Sequence, residues 1–208
     1  MHSALAPYCI ESMRLLAMKL EYTTDQYVAE LQRQGEEAQA LVGGLETSAL
    51  NWRPDGRSWS VAQCIDHLAR TNSLYLEVIR EAVERNEDQI SPGSSVYRPA
   101  GWPSRKFIES MEPPPRRRFR AFRRIIPAQG GYRSDEVLPP FLTAQKELAE
   151  LVQKCREMDL GSIRFHNPFL KGIRMTISSG LLLIGAHNRR HLWQAERMKE
   201  RAGFPGRT

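Results

Sequence analysis

The sequence predicts an all-α fold, a four-helix bundle with a long proline-rich insertion between the second and third helices. Four segments place apolar residues three and four positions apart, as on one face of a helix, and none alternates apolar and polar residues as a strand would. The 208 residues, 41% of them hydrophobic, suffice for one buried core. We predict an N-terminal extension over residues 1–22, the bundle over 23–203 and a tail over 204–208.

Capping residues mark the first two helices. Helix one is predicted from Thr24, its N-cap, to about Leu45, and Gly43-Gly44 marks its end. Helix two follows Ser60, because Ser60-Val61-Ala62-Gln63 is a capping box in which serine and glutamine each bond the backbone near the other. It is predicted to continue to about Asn86.

A long segment separates helix two from helix three. Residues 87–138 are predicted to form the insertion or crossover, and they include Pro113-Pro114-Pro115. Four apolar residues near its end predict that part of it packs on the bundle as a short helix: Phe119, Phe122, Ile125 and Ile126. Helix three is predicted to open at Pro139-Pro140 and to end near Met158. Helix four is predicted over residues 176–202.

The net charge of +6 is concentrated in one place. Residues 116–124 contain six arginines and two phenylalanines. They predict either phosphate binding with aromatic stacking or a solvated basic face. No recognised nucleic-acid motif surrounds them, so the solvated face is favoured and nucleic acid is not expected as a partner.

Several features bear on the location of the protein. No apolar run approaches the roughly 18 residues that a membrane span requires. The first 20 residues lack the small-residue cleavage site of a signal peptide. Cys9, Cys64 and Cys155 stand singly, which argues against a disulfide framework and against a CxxC zinc site. A cytoplasmic location away from membranes is therefore predicted.

Three histidines suggest a metal site. His187 and His191 are four residues apart on helix four, so their rings lie one above the other on one face. His67 lies close to the apolar face of helix two. Three inward histidines predict a shared divalent ion with an open fourth position, as in catalytic sites, and hydrogen-bonded core histidines are the alternative.

Polar neighbours of the histidines are predicted to line the pocket or to support the ligands: Gln63, Thr71 and Asn188. Ordinary polar helix positions are the alternative interpretation for Thr71 and Asn188. Trp52 and Trp59 are interpreted as packing residues at the start of helix two rather than as platforms for a ligand.

Three sequence pieces together carry a family resemblance. Trp59-Ser60-Val61-Ala62-Gln63, followed by His67-Leu68, is similar to a W-S-x-x-(E/Q)-x-x-x-H-L pattern that opens a second helix. Asn167-Pro168-Phe169 precedes an apolar run, and His187-Asn188-Arg189-Arg190-His191 is followed by Gln194. In this combination the chain resembles the DinB/YfiT-like superfamily of bacterial metal-binding four-helix bundles.

The resemblance implies a zinc or nickel ion on His67, His187 and His191, and frequent homodimers. It implies a metal-dependent enzyme, with thiol S-transfer from a low-molecular-weight thiol to a small-molecule substrate as the leading prediction. A metal-dependent hydrolase and a non-catalytic metal-binding dimer are the alternatives. Spacing places no carboxylate base beside the histidines, which favours thiol transfer. The insertion is expected to cover the metal pocket or to build an interface.

Overall fold

The computed structural model of the chain describes residues 20–87, 96–115, 117 and 119–205. The predicted extension over residues 1–22 falls almost entirely outside this range, as does Cys9. Most of the described residues are helical, and the predicted all-α fold is confirmed. Within the same ranges, no helix has the length and apolar character needed to cross a membrane.

The helices and strands of the described residues are numbered here in chain order. The helices are α1 (Thr24–Val42), α2 (Thr47–Leu50), α3 (Val61–Glu84), α4 (Gly101–Met111), α5 (Ser134–Lys154) and α6 (Ile177–Lys199). A single 3-10 turn covers Arg123–Ile125. The strands are β1 (Tyr22–Thr23), β2 (Val96–Tyr97), β3 (Arg164–His166) and β4 (Arg174–Thr176).

The four long helices α1, α3, α5 and α6 correspond to the four predicted helices and form the helical core. Helices α1 and α3 each pack against both α5 and α6, so the four alternate around a shared interior. One apolar cluster within it includes Leu31, Leu148 and Leu181, and a second includes Ile65 and Phe141. Each such side chain contributes about 1.5–3 kcal/mol when it is fully buried.

Each of the first two long helices begins at a capping residue, as predicted, but the cap of the first helix lies one residue earlier than expected. Ser60 Oγ accepts a hydrogen bond from the Gln63 amide, and the Gln63 side chain accepts one from the Ser60 amide. The N-cap of α1 is Thr23 and not Thr24, because Thr23 forms the same reciprocal pair with Gln26. The two side chains together satisfy backbone donors that a helix start leaves unpaired.

Helix α5 begins at Ser134, five residues earlier than the predicted start at Pro139-Pro140. Both prolines lie inside the helix and lack the N–H that would bond the carbonyl four residues earlier. Those carbonyls belong to Asp135 and Glu136, which are exposed, so water can satisfy them. The two prolines therefore cost the helix little stability, and the helix can begin before them.

Among the described residues, two short antiparallel ribbons accompany the helices, and neither was predicted. In one, Tyr22 of β1 pairs with Tyr97 of β2, which attaches part of residues 87–138, the segment predicted to be an insertion and called the insertion below, to the start of α1. In the other, Phe165 of β3 pairs with Met175 of β4 in a hairpin directly before α6. Strands of two or three residues are too short to show the alternation that identifies a strand in a sequence.

The described part of the insertion packs along α6. Helix α4 contacts α6 and buries Ile108 and Met111. At the four apolar residues that predicted a short helix, the structure has only the 3-10 turn at Arg123–Ile125. Of those four, Ile125 is buried in the 3-10 turn, whereas the other three are largely exposed. Ser178 Oγ accepts from the Arg98 amide and donates to the Arg98 carbonyl, which fixes the start of the insertion on α6.

Candidate metal centre

The structure brings the three predicted histidines together at one end of the contact between α3 and α6. His67 extends from α3, and His187 and His191 extend from successive turns of α6. One potential ligand atom of each ring lies within 4.8 Å of the others. The ring centroids are separated by 4.5–5.0 Å. His67 is 2% exposed and His191 is 8% exposed, so the cluster is formed inside the protein.

The insertion fixes the orientation of the His67 ring. His67 Nδ1–H donates a hydrogen bond to the Ile125 carbonyl over 2.7 Å, which leaves Nε2 with its lone pair directed away from that carbonyl. His67 Nε2 lies 3.2 Å from His187 Nε2. Two nitrogens that each bind one tetrahedral zinc ion at about 2.0–2.1 Å are separated by about 3.3 Å, so the pair is suitably spaced for a shared ion.

Two other ring nitrogens of the cluster are left without a partner. The Nδ1 atoms of His187 and His191 are buried and have no hydrogen-bond partner among the described residues. A buried polar atom without a partner costs about 1–3 kcal/mol. Nitrogen donors of three neutral imidazoles suit zinc and nickel, and the residues present therefore fit a divalent ion of this kind.

Burial keeps the histidines in the form that binds metal. It lowers the pKa of His67 to about 4, and the Ile125 carbonyl only partly opposes this effect. Burial lowers the pKa of His187 and His191 well below the ordinary value, and the neighbouring rings of the cluster lower both further. All three rings are therefore neutral at pH 7, and a neutral imidazole has the lone pair that a metal ligand requires.

A cavity of about 730 Å³ opens onto the histidines. It is lined by residues of α3 and α6, including Tyr75 and Leu183, and by residues of the insertion, including Phe107 and Phe122. Residues of the insertion therefore form part of the lining of the pocket, and its role as a cover stays a prediction. Phe169, from the hairpin, stacks on Phe122 with ring centroids 5.4 Å apart.

Trp59 belongs to this site, although its position in the sequence suggested only packing. Its ring lies 4.7 Å from the His67 ring and 5.6 Å from the His191 ring, centroid to centroid, and it lines the cavity. Trp52, by contrast, packs edge-on against Phe204. Both tryptophans lie beside helix two in the sequence, so only the fold separates their roles.

The three predicted supporting residues lie in different surroundings. Thr71 lines the cavity, and its hydroxyl donates to the His67 carbonyl over 2.7 Å. Gln63 caps α3 and donates to the Ala128 carbonyl over 2.8 Å, so it joins the helix to the segment that orients His67. Asn188 lies outside the cavity, in a buried cluster of amides where it donates to Gln34 over 2.8 Å.

Positive charge dominates the charged residues that line the cavity. They are Arg57, Arg120, Arg190, Arg197, Glu200 and Arg201. Glu200 is the single carboxylate among the described lining residues, and it is exposed. Arg190 is the one buried arginine of the set, at 7% exposed. From the basic run, Arg120 reaches the cavity, whereas Arg116 and Arg118 lie outside the described residues.

Fold and site together define a class of protein, an all-α protein with a three-histidine cluster of metal-binding type on the wall of a cavity that is open to solvent. Comparison with protein families identifies the group. The chain belongs to the DinB superfamily, whose family model matches residues 30–195, from α1 through all three histidines. No curated protein and no solved structure matches the chain.

Proposed function

We propose that this protein is a metal-dependent thiol S-transferase in which His67, His187 and His191 hold a divalent zinc or nickel ion. When bound, such an ion lowers the pKa of a thiol at its open position and so supplies a thiolate nucleophile at neutral pH. The second substrate is a small electrophile that occupies the cavity. The observation that carries the proposal is a site of three neutral imidazoles on a cavity whose described lining contains no buried carboxylate.

The lack of a buried carboxylate among the described lining residues favours transfer over hydrolysis. A metal-dependent hydrolase uses a general base close to the ion to take up protons from water and to pass them to the leaving group. Among the described residues that line the cavity, the only carboxylate is Glu200, which is exposed. A thiol is far more acidic than water, so its activation does not require that base.

Residues of the cavity have three tasks in this proposal. Trp59 packs against the His67 and His191 rings and limits their rotation. The Ile125 carbonyl holds His67 in the tautomer whose Nε2 is free. Aromatic and aliphatic side chains that line the cavity, among them Phe169 and Leu183, contact the apolar part of the substrate.

Metal content is the first test. Purified protein should contain about one zinc or nickel ion per chain by elemental analysis, and His191→Ala should lose it. Partners that merely orient a ligand are worth about 10–100-fold in affinity, so loss of a ligand itself should exceed that range. His166→Ala is the matched control, since His166 is exposed on β3, and it should keep the ion. Equal metal content in both variants would contradict the assignment.

Thiol consumption is the second test. The metal-loaded protein is mixed with a bacterial low-molecular-weight thiol and monochlorobimane, and fluorescence is followed. In each turnover an S–C bond forms, chloride leaves and the thiol proton passes to solvent. Conjugation should be faster than the spontaneous rate and should be lost in His191→Ala but not in His166→Ala. Metal-dependent cleavage of 4-nitrophenyl acetate without thiol conjugation would instead favour the hydrolase.

A further inference from the structure

Arg190 is a buried cation whose charge the described protein leaves unpaired. It is 7% exposed and lines the cavity beside the histidine cluster. Its guanidinium donates to two backbone carbonyls of the insertion, that of Ser110 over 3.2 Å and that of Arg117 over 2.6 Å. The Phe119 ring lies 5.4 Å from the guanidinium carbon. Within the described ranges Arg190 forms no ion pair, and its other N–H donors have no acceptor.

Arg189, the preceding residue, has its charge neutralised by carboxylates of the protein itself. Arg189 is also buried, at 8% exposed, but it lies between two carboxylates. It contacts Glu30 over 2.7 Å and forms a two-pronged pair with Glu112. A buried charge is ordinarily paired, because removing it from water without a counter-charge is costly. Arg190 departs from this rule, and it does so at the wall of the cavity.

We propose that Arg190 binds the carboxylate of an organic acid whose apolar part occupies the cavity, and that this acid is the second substrate. The inference rests on the proposed function only in assigning the acid the role of substrate. A planar guanidinium with free N–H donors matches the geometry of a carboxylate. One unpaired positive charge balances one negative charge, which favours a carboxylate over a phosphate monoester carrying nearly two.

The rest of the cavity suits such a ligand. Its walls carry aromatic and aliphatic side chains, among them Phe107, Phe122 and Phe169, which fit an apolar body of the size of a phenyl ring with a short chain. The other arginines of the lining, at its solvent-facing edge, are exposed and therefore solvated. They attract anions at long range but discriminate little between them. Arg190 alone offers a desolvated contact, where a charged hydrogen bond is strongest.

The test compares 4-phenylbutyrate with its neutral amide, 4-phenylbutyramide, by isothermal titration calorimetry on the full chain. Titrations use chelator-treated, metal-free protein, since a metal ion would itself bind a carboxylate. The acid should bind about tenfold or more tightly than the amide, the effect expected of one hydrogen-bonded charge pair. Arg190→Gln should abolish this preference. Arg80→Gln, which removes the same charge from the exposed surface, should leave it within about twofold.

Three results would overturn the proposal. They are equal affinity of the wild-type protein for acid and amide, a preference that survives Arg190→Gln, or tighter binding of 3-phenylpropyl phosphate than of the carboxylate. If Arg190→Gln does not fold, Arg190→Lys keeps the charge without the planar fork and should weaken the preference. The comparison of acid and amide on the wild-type protein does not depend on whether any variant folds. Because these titrations contain no metal, a carboxylate preference would stand even if thiol transfer were disproved.

Discussion

Replacement of Arg189 by methionine should destabilise the protein far more than loss of an ordinary surface ion pair. Arg189 joins three parts of the chain, since it extends from α6 and contacts Glu30 on α1 and Glu112 just after α4. Its side chain is 9% exposed, and those of Glu30 and Glu112 are 4% and 11% exposed. Methionine fills similar space but removes the charge that both carboxylates share.

The expected magnitude follows from what each carboxylate retains. Glu30 keeps a second partner, because Arg33 contacts it over 2.9 Å. Glu112 loses the only ion pair described for it. Removing one partner from a buried pair costs about 3–5 kcal/mol, because the remaining charge stays buried without compensation. A loss of this size lowers the Tm of a chain this long by about 6–20 °C.

The assay is thermal and urea unfolding followed by circular dichroism at 222 nm. Arg80→Met provides the comparison, because Arg80 pairs with Glu147 over a similar distance, 2.8 Å, but with both side chains more than 40% exposed. That variant should lose less than about 1 kcal/mol. Similar losses in the two variants would refute the reasoning. Glu112→Gln removes the charge that Arg189→Met leaves unpaired, so adding it to Arg189→Met should restore part of the lost stability, whereas adding it to Arg80→Met should not. The opposite result would also refute the reasoning.

The same cluster predicts a dependence on acid. Burial raises the pKa of Glu30, but contacts with Arg33 and Arg189 lower it by more, so the net pKa lies below the ordinary value of 4.5. A carboxyl with a lowered folded-state pKa stabilises the protein above its unfolded-state pKa, and this stabilisation is lost as pH falls through the folded-state value. Below about pH 4.5, the free energy of unfolding should therefore fall less steeply in Glu30→Gln than in the wild type.

Three further predictions concern single positions, each checked on purified protein. Gly180→Ala should lower Tm, with a cost of about 1–3 kcal/mol, because an added Cβ would lie 2.6 Å from the buried Phe165 ring; an unchanged melting curve would contradict this. Ser60→Ala should cost about 0.5–2 kcal/mol in urea unfolding, since the Gln63 amide loses its acceptor. Cys64 is fully buried with a raised thiol pKa, so mass spectrometry should find it alkylated by iodoacetamide only in denaturant.

Features that depend on residues a few positions apart could be predicted from the sequence. The capping box of Ser60 and Gln63 involves residues three apart, and the pair of His187 and His191 involves residues four apart on one helix. Helical geometry fixes both arrangements once the helix forms. His67 could be added because the apolar face of helix two gave its direction. The meeting of His67 with the pair 120 residues further along the chain could be anticipated because a four-helix bundle and a family resemblance had been predicted.

Features that depend on distant parts of the chain could not be anticipated. The Ile125 carbonyl that orients His67 lies 58 residues further along the chain. Nothing in the local pattern around Ile125 indicates such a contact. The same holds for Trp59, whose packing against the rings depends on how α3 and α6 meet. Asn188 was expected near the ligands because it follows His187, but one step along a helix rotates a side chain by about 100°, away from the cavity.

In the segment from His187 to His191, the rotation of about 100° per residue brings neighbouring side chains into contact with different parts of the protein. Successive residues face different directions, so each meets a different environment. Asn188 enters the buried amide cluster, Arg189 enters the ion cluster, and Arg190 reaches the cavity wall. Such a polar run would ordinarily indicate a solvated helix face. Here four of the five residues are buried, and therefore each requires a partner.

The insertion supplies several of those partners, which explains why a proline-rich segment remains attached to the helical core. Its Ser110 and Arg117 carbonyls accept from the guanidinium that faces the cavity, and Glu112 pairs with the guanidinium beside it. Without the insertion, two buried guanidinium groups of α6 would lose these contacts, and part of the cavity lining would be missing. Insertion and histidine-bearing helix therefore form one structural unit, and changes that detach the insertion should impair ligand binding and stability together.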